Sequence, residues 1–192
     1  MIRAKHILIF CTLVLCSVLA ISVYGQMTWS KMYGGHALDE AFCTVATSNQ
    51  NLVVAGRTSS FASEDLWVID VDSAGNIIWQ KSYSGAGAGS ANSIMKLNDG
   101  FVLTGYIVSA AGDKDLWILK LDLSGNVIWQ RSIGTVAEDE GFSVQGTFGG
   151  YLVAGKTGNP SDAWIIKLDY DGNVVWQKSY GSLSDDIAFS AI

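Results

Sequence analysis

The chain has 192 residues, a formal net charge of −6, 49% hydrophobic residues and a single proline. This composition excludes a disordered chain and provides enough apolar side chains for one domain with a core. The excess of acidic residues is unfavourable for nucleic acid, because phosphate groups are bound by Lys and Arg. We therefore expect no nucleic-acid partner.

The first 25 residues have the pattern of a secretory signal peptide. Arg3 and Lys5 precede an apolar run over residues 7–23, and small residues around Gly25 offer a cleavage site. We therefore assign residues 1–25 to targeting and residues 26–192 to the folded part. The mature protein is expected to be secreted or displayed at the cell surface, with no membrane segment. An uncleaved membrane anchor is the alternative interpretation of the same apolar run.

The folded part has little catalytic chemistry. It retains one cysteine, Cys43, and one histidine, His36. A single thiol excludes an intrachain disulfide, and its apolar neighbours favour a small core residue over a nucleophile. With one histidine, neither a zinc site nor a catalytic triad is expected. The sequence predicts no catalytic residue, no cofactor and no metal ligand.

After the leader, the predicted elements follow a template with a period near 50 residues. A single strand, d, comes first, at 28–33. Three repeats follow, each with strands a, b, c and d in that order: 41–46, 52–58, 66–71 and 77–83; 91–95, 101–107, 116–121 and 127–133; and 141–145, 151–157, 163–168 and 174–180. A last strand a is predicted at 188–192. Strands c are apolar on both faces, which is typical of a strand between two packed sheets. Gly-Asn pairs between strands c and d predict tight hairpins.

All seven tryptophans fall on this template. They occupy a W-[QS]-[KR]-x-[YI] motif at the start of strand d and a D-[LA]-W motif in strand c: Trp29, Trp79, Trp129 and Trp176, and Trp67, Trp117 and Trp164. A period of this length indicates stacked supersecondary units. We expect these indoles to be structural and to lock one unit against the next.

Four short antiparallel strands in each unit predict an all-β fold, a segment of a β-propeller. Three blades are complete, at 39–83, 88–133 and 138–180, and residues 28–33 and 184–192 form part of a fourth. About four blades is the smallest closed ring. The expectation is therefore a truncated piece of a longer propeller, whose open apolar blade faces would self-associate.

The motif D-x-W-[IV]-[IL]-x-[LV]-D-x-x-G-N-[IV]-[IV]-W-Q-[KR]-S-Y resembles the secreted β-propeller repeats of bacterial and archaeal surface proteins, over essentially the whole chain from Trp29. It is similar, more weakly, to the tryptophan-docking repeat of quinoprotein propellers, D-x-x-T-G-K-x-x-W. Here Asp72-Ser73-Ala74-Gly75-Asn76 before Trp79 is one residue shorter and has Asn in place of Lys. The resemblance implies a propeller with structural tryptophans. It does not extend to the ligands of a quinone.

In such blades the d–a and b–c connections emerge at one edge, and these connections are rich in acids. One interpretation is an acidic face that binds cations or a basic partner. The other is a solvated rim in which each Asp caps backbone N–H groups. The candidate residues are Asp39, Glu40, Asp65, Asp115, Glu138, Asp139, Glu140, Asp162, Asp185 and Asp186. Away from this edge, Asp169-x-Asp171-Gly172-Asn173 has a partial calcium-loop pattern, for which a turn is the favoured interpretation.

The sequence thus favours a non-enzymatic module that binds an extracellular protein or glycan, or that has a structural surface role. Two alternatives stay open. The blades could belong to a larger secreted enzyme, a hydrolase, lyase or quinoprotein-like protein, whose catalytic residues lie outside this chain. They could also belong to a surface or matrix component that is displayed through a separate sorting domain.

Overall fold

The computed structural model describes residues 29–47, 49–61 and 64–191, and the regular secondary structure in these ranges consists entirely of β-strands. Within these ranges there is accordingly no helix capable of crossing a membrane. The predicted signal peptide, residues 1–25, lies outside the described residues. The chain divides into two units, Met1–Lys31 and Met32–Ile192. Of the first unit only residues 29–31 are described, and all strands lie in the second.

The second unit contains twelve strands over its described residues. They are β1 Asp39–Ala46, β2 Leu52–Thr58, β3 Asp65–Val71, β4 Ile77–Tyr83, β5 Gly89–Lys96, β6 Gly100–Val108, β7 Lys114–Asp122, β8 Val127–Ile133, β9 Glu140–Thr147, β10 Gly150–Thr157, β11 Asp162–Leu168 and β12 Val174–Tyr180. They form three four-stranded antiparallel sheets, in the orders β1-β2-β3-β4, β5-β6-β7-β8 and β9-β10-β11-β12. We call these sheets 1, 2 and 3. The prediction of an all-β fold is confirmed.

The three sheets share features because they share a sequence pattern. Each second strand carries a glycine opposite its first strand, at Gly56, Gly105 and Gly155. A Cβ at Gly56 would collide with the Glu40 carbonyl oxygen, so close pairing at this point requires glycine. A β-bulge lies beside it in each sheet. At the bulge one extra residue is left unpaired, which interrupts the alternation of side chains between the two faces of the sheet.

The sheets stack face to face in chain order. One hydrophobic cluster joins sheets 1 and 2, with Leu66 and Val68 of β3 and Trp117 and Leu119 of β7 among its members. A second cluster of the same kind joins sheets 2 and 3. Every residue of β3 is buried, as its apolar sequence on both faces predicts. The first strands β1, β5 and β9 lie successively next to one another.

Two predicted strands do not form. The predicted strand d at 28–33 has no regular structure at its described residues, 29–33, and neither has the predicted strand a at 188–192 over residues 188–191. A strand is defined by its hydrogen-bonded neighbour, and the described part of the chain supplies a ladder partner to neither segment. Both segments nevertheless make isolated hydrogen bonds. The Tyr33 hydroxyl donates to the Gly75 carbonyl at 2.8 Å, and the Ala188 amide donates to the Gly155 carbonyl at 3.2 Å.

Candidate functional site

The loops that connect the second to the third strand of each sheet, and one sheet to the next, meet at one edge of the stack. We call this surface the loop edge; it comprises residues 34–38, 59–61, 64, 84–88, 109–113, 134–139, 158–161 and 181–186. Backbone hydrogen bonds join neighbouring loops, from Gly89 N to Glu64 O at 2.9 Å and from Asp139 N to Lys114 O at 2.8 Å. These bonds hold the loops of adjacent sheets in register. The loop edge is therefore a preorganised surface.

Asp39 shows how the acids of this edge are used. Its carboxylate accepts hydrogen bonds from the Gly35 amide at 2.9 Å, from the Ser60 hydroxyl at 2.6 Å and from the Thr58 hydroxyl. The bond from Ser60, followed by that from Thr58, holds the pKa of Asp39 below its usual value, because each stabilises the ionised form. Asp39 thus closes the loop that precedes β1.

Asp139 and Asp186 close equivalent loops. The amide and the hydroxyl of Thr135 donate to Asp139 at 2.5 and 2.9 Å, and those of Ser182 donate to Asp186 at 2.9 and 3.2 Å. Gly89 holds the corresponding position at the start of sheet 2. Side-chain caps of this kind satisfy loop amides that have no strand partner.

Most of the other predicted acids also have local partners. Glu40 and Glu64 both pair with Arg57 at 2.6 Å, and Glu140 accepts from Asn92 at 2.9 Å. Asp185 accepts from the Ser161 amide at 2.8 Å. Of the remaining acids, Asp65 is buried. Asp115 and Asp162 are half-buried, beside Gly134 and Gly181 respectively. Glu138 is exposed, and its carboxylate lies 3.8 Å from the Lys114 ammonium group.

This arrangement agrees with loop capping, and burial of Asp65 and Asp139 removes both from the accessible surface. Cation or partner binding by the acids stays a prediction. Among the described residues, no three His, Cys, Asp or Glu side chains are grouped so that they could hold a metal ion.

The carboxylates of Asp115 and Asp139 form a close pair beside Gly134. A Cβ at Gly134 would collide with Asp115 Oδ1 and lie 3.1 Å from Asp139 Oδ2. Burial raises the pKa of Asp115, and the charges of Asp113 and Asp139 raise it further. Asp139 is fully buried, and its Oδ1 has no hydrogen-bond partner among the described residues. Asp115 therefore lies within the field of other carboxylates at the junction of sheets 2 and 3.

An open groove of about 770 Å³ lies between the loops of sheets 2 and 3. Its lining combines carboxylates with a cation and with amide and hydroxyl groups: Asp113, Glu138, Asp185, Lys156, Asn159, Thr135 and Ser161. Val136 is 99% exposed at its margin. A concavity of this size suits a small or oligomeric polar ligand.

Sequence reasoning placed several of these acids at one edge but did not identify the groove. Lys156 and Asn159 were not predicted as site residues. The available signal was the loop over residues 158–161, which contains Pro160, the only proline of the chain. That loop differs in sequence from its two counterparts, and the groove forms where it faces residues 134–138.

The hairpins at the ends of strands β3, β7 and β11 have one common structure. Asp72 Oδ1 accepts from the amides of Ala74 and Asn76 at 2.9 and 2.8 Å, and the Asn76 side chain donates to Oδ2 at 2.9 Å. Asp122 and Asp169 make the same three bonds. Their hydrogen bonds with the asparagine at the end of the turn lower the pKa of both carboxylates. The partial calcium-loop pattern at Asp169 is therefore built as a turn.

The tryptophans divide into two groups by burial. Those of the third strands, Trp67, Trp117 and Trp164, are buried. Of the others, Trp79 packs over Gly125 of sheet 2, and Trp129 Nε1 donates to the Tyr170 carbonyl of sheet 3 at 3.2 Å. These two indoles contact the next sheet; that the tryptophans lock one unit against the next stays a prediction. Trp176 is 43% exposed, and Trp29, which belongs to the first unit, is 37% exposed.

Cys43 and His36 are not part of the groove. The Cys43 thiol donates to the Ala55 carbonyl at 3.7 Å, and burial raises its pKa to about 12. A thiol with so high a pKa is a poor nucleophile at neutral pH. His36 is exposed on the loop before β1.

No protein-family model matches the chain. No curated protein matches it either. The geometry of the loop edge is therefore the basis for a functional proposal.

Proposed function

We propose that the protein is a secreted, non-enzymatic module of β-propeller type that binds an extracellular protein or glycan at its loop edge. Three stacked four-stranded meanders with loops gathered at one edge support a propeller, since blades pack in this way. The predicted signal peptide supports secretion.

The observation that carries the proposal is the groove between sheets 2 and 3. Sugar hydroxyls both donate and accept hydrogen bonds, and the groove offers acceptors at Asp113, Glu138 and Asp185 beside donors at Lys156 and Asn159. The same mixture of charges suits a polar protein loop. Exposed Val136 adds an apolar contact at the margin. We place the ligand here.

The use of the carboxylates supports binding over catalysis. A general acid or base needs an oxygen that is free to exchange a proton with a substrate. Both oxygens of Asp39 instead accept hydrogen bonds from nearby protein groups, and Asp139 is completely buried, out of reach of a substrate. Asp185, in the groove, accepts a backbone amide. The polar groups at this edge therefore hold a shape that a ligand could recognise.

The test is a screen of the purified protein against arrayed glycans and extracellular proteins, followed by calorimetry with each ligand found. Lys156→Ala and Glu138→Ala should each weaken binding at least about tenfold, since a charged hydrogen bond contributes about 1.5–3 kcal/mol. Lys96→Ala is the matched control, because Lys96 ends β5 at the opposite edge. Equal affinity of all three variants would place the ligand elsewhere. If the protein instead converts a ligand chemically, and both groove variants abolish that turnover, the enzyme alternative is favoured.

A further inference from the structure

Two carboxylates converge where sheet 2 meets sheet 3. Asp115 lies in β7, and Asp139 is the last residue before β9. A Cβ at Gly134 would collide with Asp115 Oδ1 and would lie 3.1 Å from Asp139 Oδ2, so the two side chains point to the same place. The Asp139 amide donates to the Lys114 carbonyl at 2.8 Å, which fixes the backbone of one acid close to that of the other. The fold therefore holds two acidic groups together.

One oxygen of this pair lacks the partner that its counterpart in sheet 1 has. Asp39 lies at the equivalent position before β1, and both of its oxygens are used: Oδ1 accepts from Thr58, and Oδ2 accepts from Ser60 at 2.6 Å. In Asp139 only Oδ2 is used, by the amide and hydroxyl of Thr135. Asp139 Oδ1 is fully buried and has no hydrogen-bond partner among the described residues. Buried charges in proteins are paired or coordinate metals.

Basic side chains do not supply the missing charge. In the part of the chain that the structure describes, the charges that act on Asp115 are those of Asp113 and Asp139, and both are negative. Lys114 is the next residue, but its Nζ lies 3.8 Å from a Glu138 oxygen. Successive residues of a strand also point to opposite faces, which directs Lys114 away from Asp115. The junction therefore has an excess of negative charge that a cation from solution would offset.

We propose that Asp115 and Asp139 bind a Ca²⁺ ion at the junction of sheets 2 and 3. Calcium accepts about six to eight oxygen ligands in flexible geometry, and these include carbonyl groups and water as well as carboxylates. Two carboxylates therefore suffice when the Thr135 hydroxyl, backbone carbonyls of the loop and water complete the shell. Magnesium is less suitable, because it requires nearly ideal octahedral geometry. We expect a dissociation constant of about 0.1–1 mM, the range of extracellular calcium modules.

The calcium site adjoins the groove between sheets 2 and 3. Thr135, which donates to Asp139, and Asp113, which acts on Asp115, both line that groove. A bound ion would hold residues 134–139 in place and would thereby fix one wall of the groove. Calcium should therefore also strengthen the binding of a groove ligand. This second effect rests on the proposed function, whereas the calcium site itself does not.

The first experiment is calorimetry with calcium chloride on the full chain, after treatment with a chelator and desalting, at constant ionic strength. We expect saturable binding of Ca²⁺, weaker binding of Mg²⁺, and slower hydrogen exchange at the amides of Thr135 and Asp139 when calcium is present. The absence of saturable calcium binding up to about 10 mM, well above the range of extracellular modules, would overturn the proposal.

Variants locate the ion. Asp115→Asn and Asp139→Asn should each weaken calcium binding at least about tenfold, because each removes one of two charged ligands. Asp171→Asn is the matched control, since it removes the same charge from the exposed hairpin after β11. Equal weakening by all three variants would indicate diffuse attraction of cations by an acidic protein and would overturn the proposal. So would a loss of binding in Asp171→Asn alone, which would place the ion at the hairpin.

Urea unfolding with calcium and with a chelator gives a second measurement. Calcium should raise the unfolding midpoint of the unaltered protein and of Asp171→Asn, because an ion that binds only the folded state stabilises it. The midpoint of Asp115→Asn should not respond, and this comparison within one variant removes any effect of the substitution on folding itself. An equal response of Asp115→Asn would contradict the proposal. Lys156→Ala should leave calcium binding unchanged, so a failure of the groove ligand is distinguishable from a failure here.

Discussion

Removing single hydroxyls from equivalent tyrosines tests whether contacts between sheets carry the stability of the stack. Tyr83 is 8% exposed, and its hydroxyl donates to the Gly125 carbonyl of the next sheet at 2.7 Å. Tyr83→Phe removes the donor and leaves a buried carbonyl unsatisfied, which costs about 1–2 kcal/mol. Tyr33 makes the equivalent bond to Gly75 at 2.8 Å but is half-buried. Tyr33→Phe should cost about half as much, because water can replace the lost donor.

The third variant is the control. Tyr180 is 57% exposed, so Tyr180→Phe should change the free energy of unfolding by less than about 0.5 kcal/mol. Urea unfolding measures all three, and the Tyr83 variant should shift the midpoint by about 0.5–1 M at unchanged slope. Equal effects of the three variants would refute the reasoning, since only burial and the inter-sheet bond distinguish them.

The pH dependence gives an independent check on Tyr83. Burial raises the pKa of Tyr83, and the charge of Asp122 raises it further. A group whose pKa is raised on folding contributes stability below its unfolded pKa, about 10 for tyrosine, and loses that contribution as the pH rises towards the folded pKa. Stability should therefore decline above about pH 10. Tyr83→Phe should make this decline shallower, which urea unfolding at a series of alkaline pH values would reveal.

Three further predictions concern Asp70, Gly56 and Cys43. Burial raises the pKa of Asp70, so its ionisation destabilises the folded state as the pH rises through that pKa. Asp70→Asn should therefore raise the free energy of unfolding at pH 7 by about 1 kcal/mol. The gain should be smaller near pH 4, where urea unfolding of both proteins gives the comparison. Gly56→Ala should lower the unfolding free energy by at least about 2 kcal/mol because its Cβ would meet the Glu40 carbonyl, whereas Gly146→Ala should have little effect because its nearest contact is 3.5 Å. Cys43, with a pKa of about 12, should react with a thiol reagent at pH 8 at least about 100-fold more slowly in the native protein than in urea.

The sequence predicted those elements of the fold that depend on local pattern. Strand β3 is buried on both faces, as its apolar residues on both faces predict, and the hairpin at Gly75 turns where Gly-Asn occurs. The two residues of the Gly-Asn pair have different roles in that turn. Gly75 has a positive φ of 75°, whereas Asn76 closes the turn through a hydrogen bond from its side chain to Asp72. Alternation and turn chemistry are local properties, so one sequence suffices to recognise them.

The features that the sequence did not predict depend on distant partners. Residues 29–33 have strand-like sequence, but a ladder requires a neighbour that only the three-dimensional arrangement supplies. At the loop edge, topology predicted that the acids would lie together. Loop packing decides which of these acids become buried; for example, the amide and hydroxyl of Thr135 donate hydrogen bonds to Asp139. The groove likewise forms where one irregular loop, containing Asn159, faces another.

The carboxylate pair at Asp115 and Asp139 gives a last prediction, because two like charges at one buried edge should cost stability. Burial and the charges of Asp113 and Asp139 raise the pKa of Asp115, so the folded state gains relative stability as the pH falls through that pKa and loses it as the pH rises. Asp115→Asn should therefore raise the free energy of unfolding at pH 7 by on the order of 1 kcal/mol and reduce its variation in the acid range. Asp171→Asn removes the same charge from an exposed hairpin and should change stability little. Destabilisation by Asp115→Asn at pH 7 would show instead that its ionised carboxylate stabilises the junction of sheets 2 and 3.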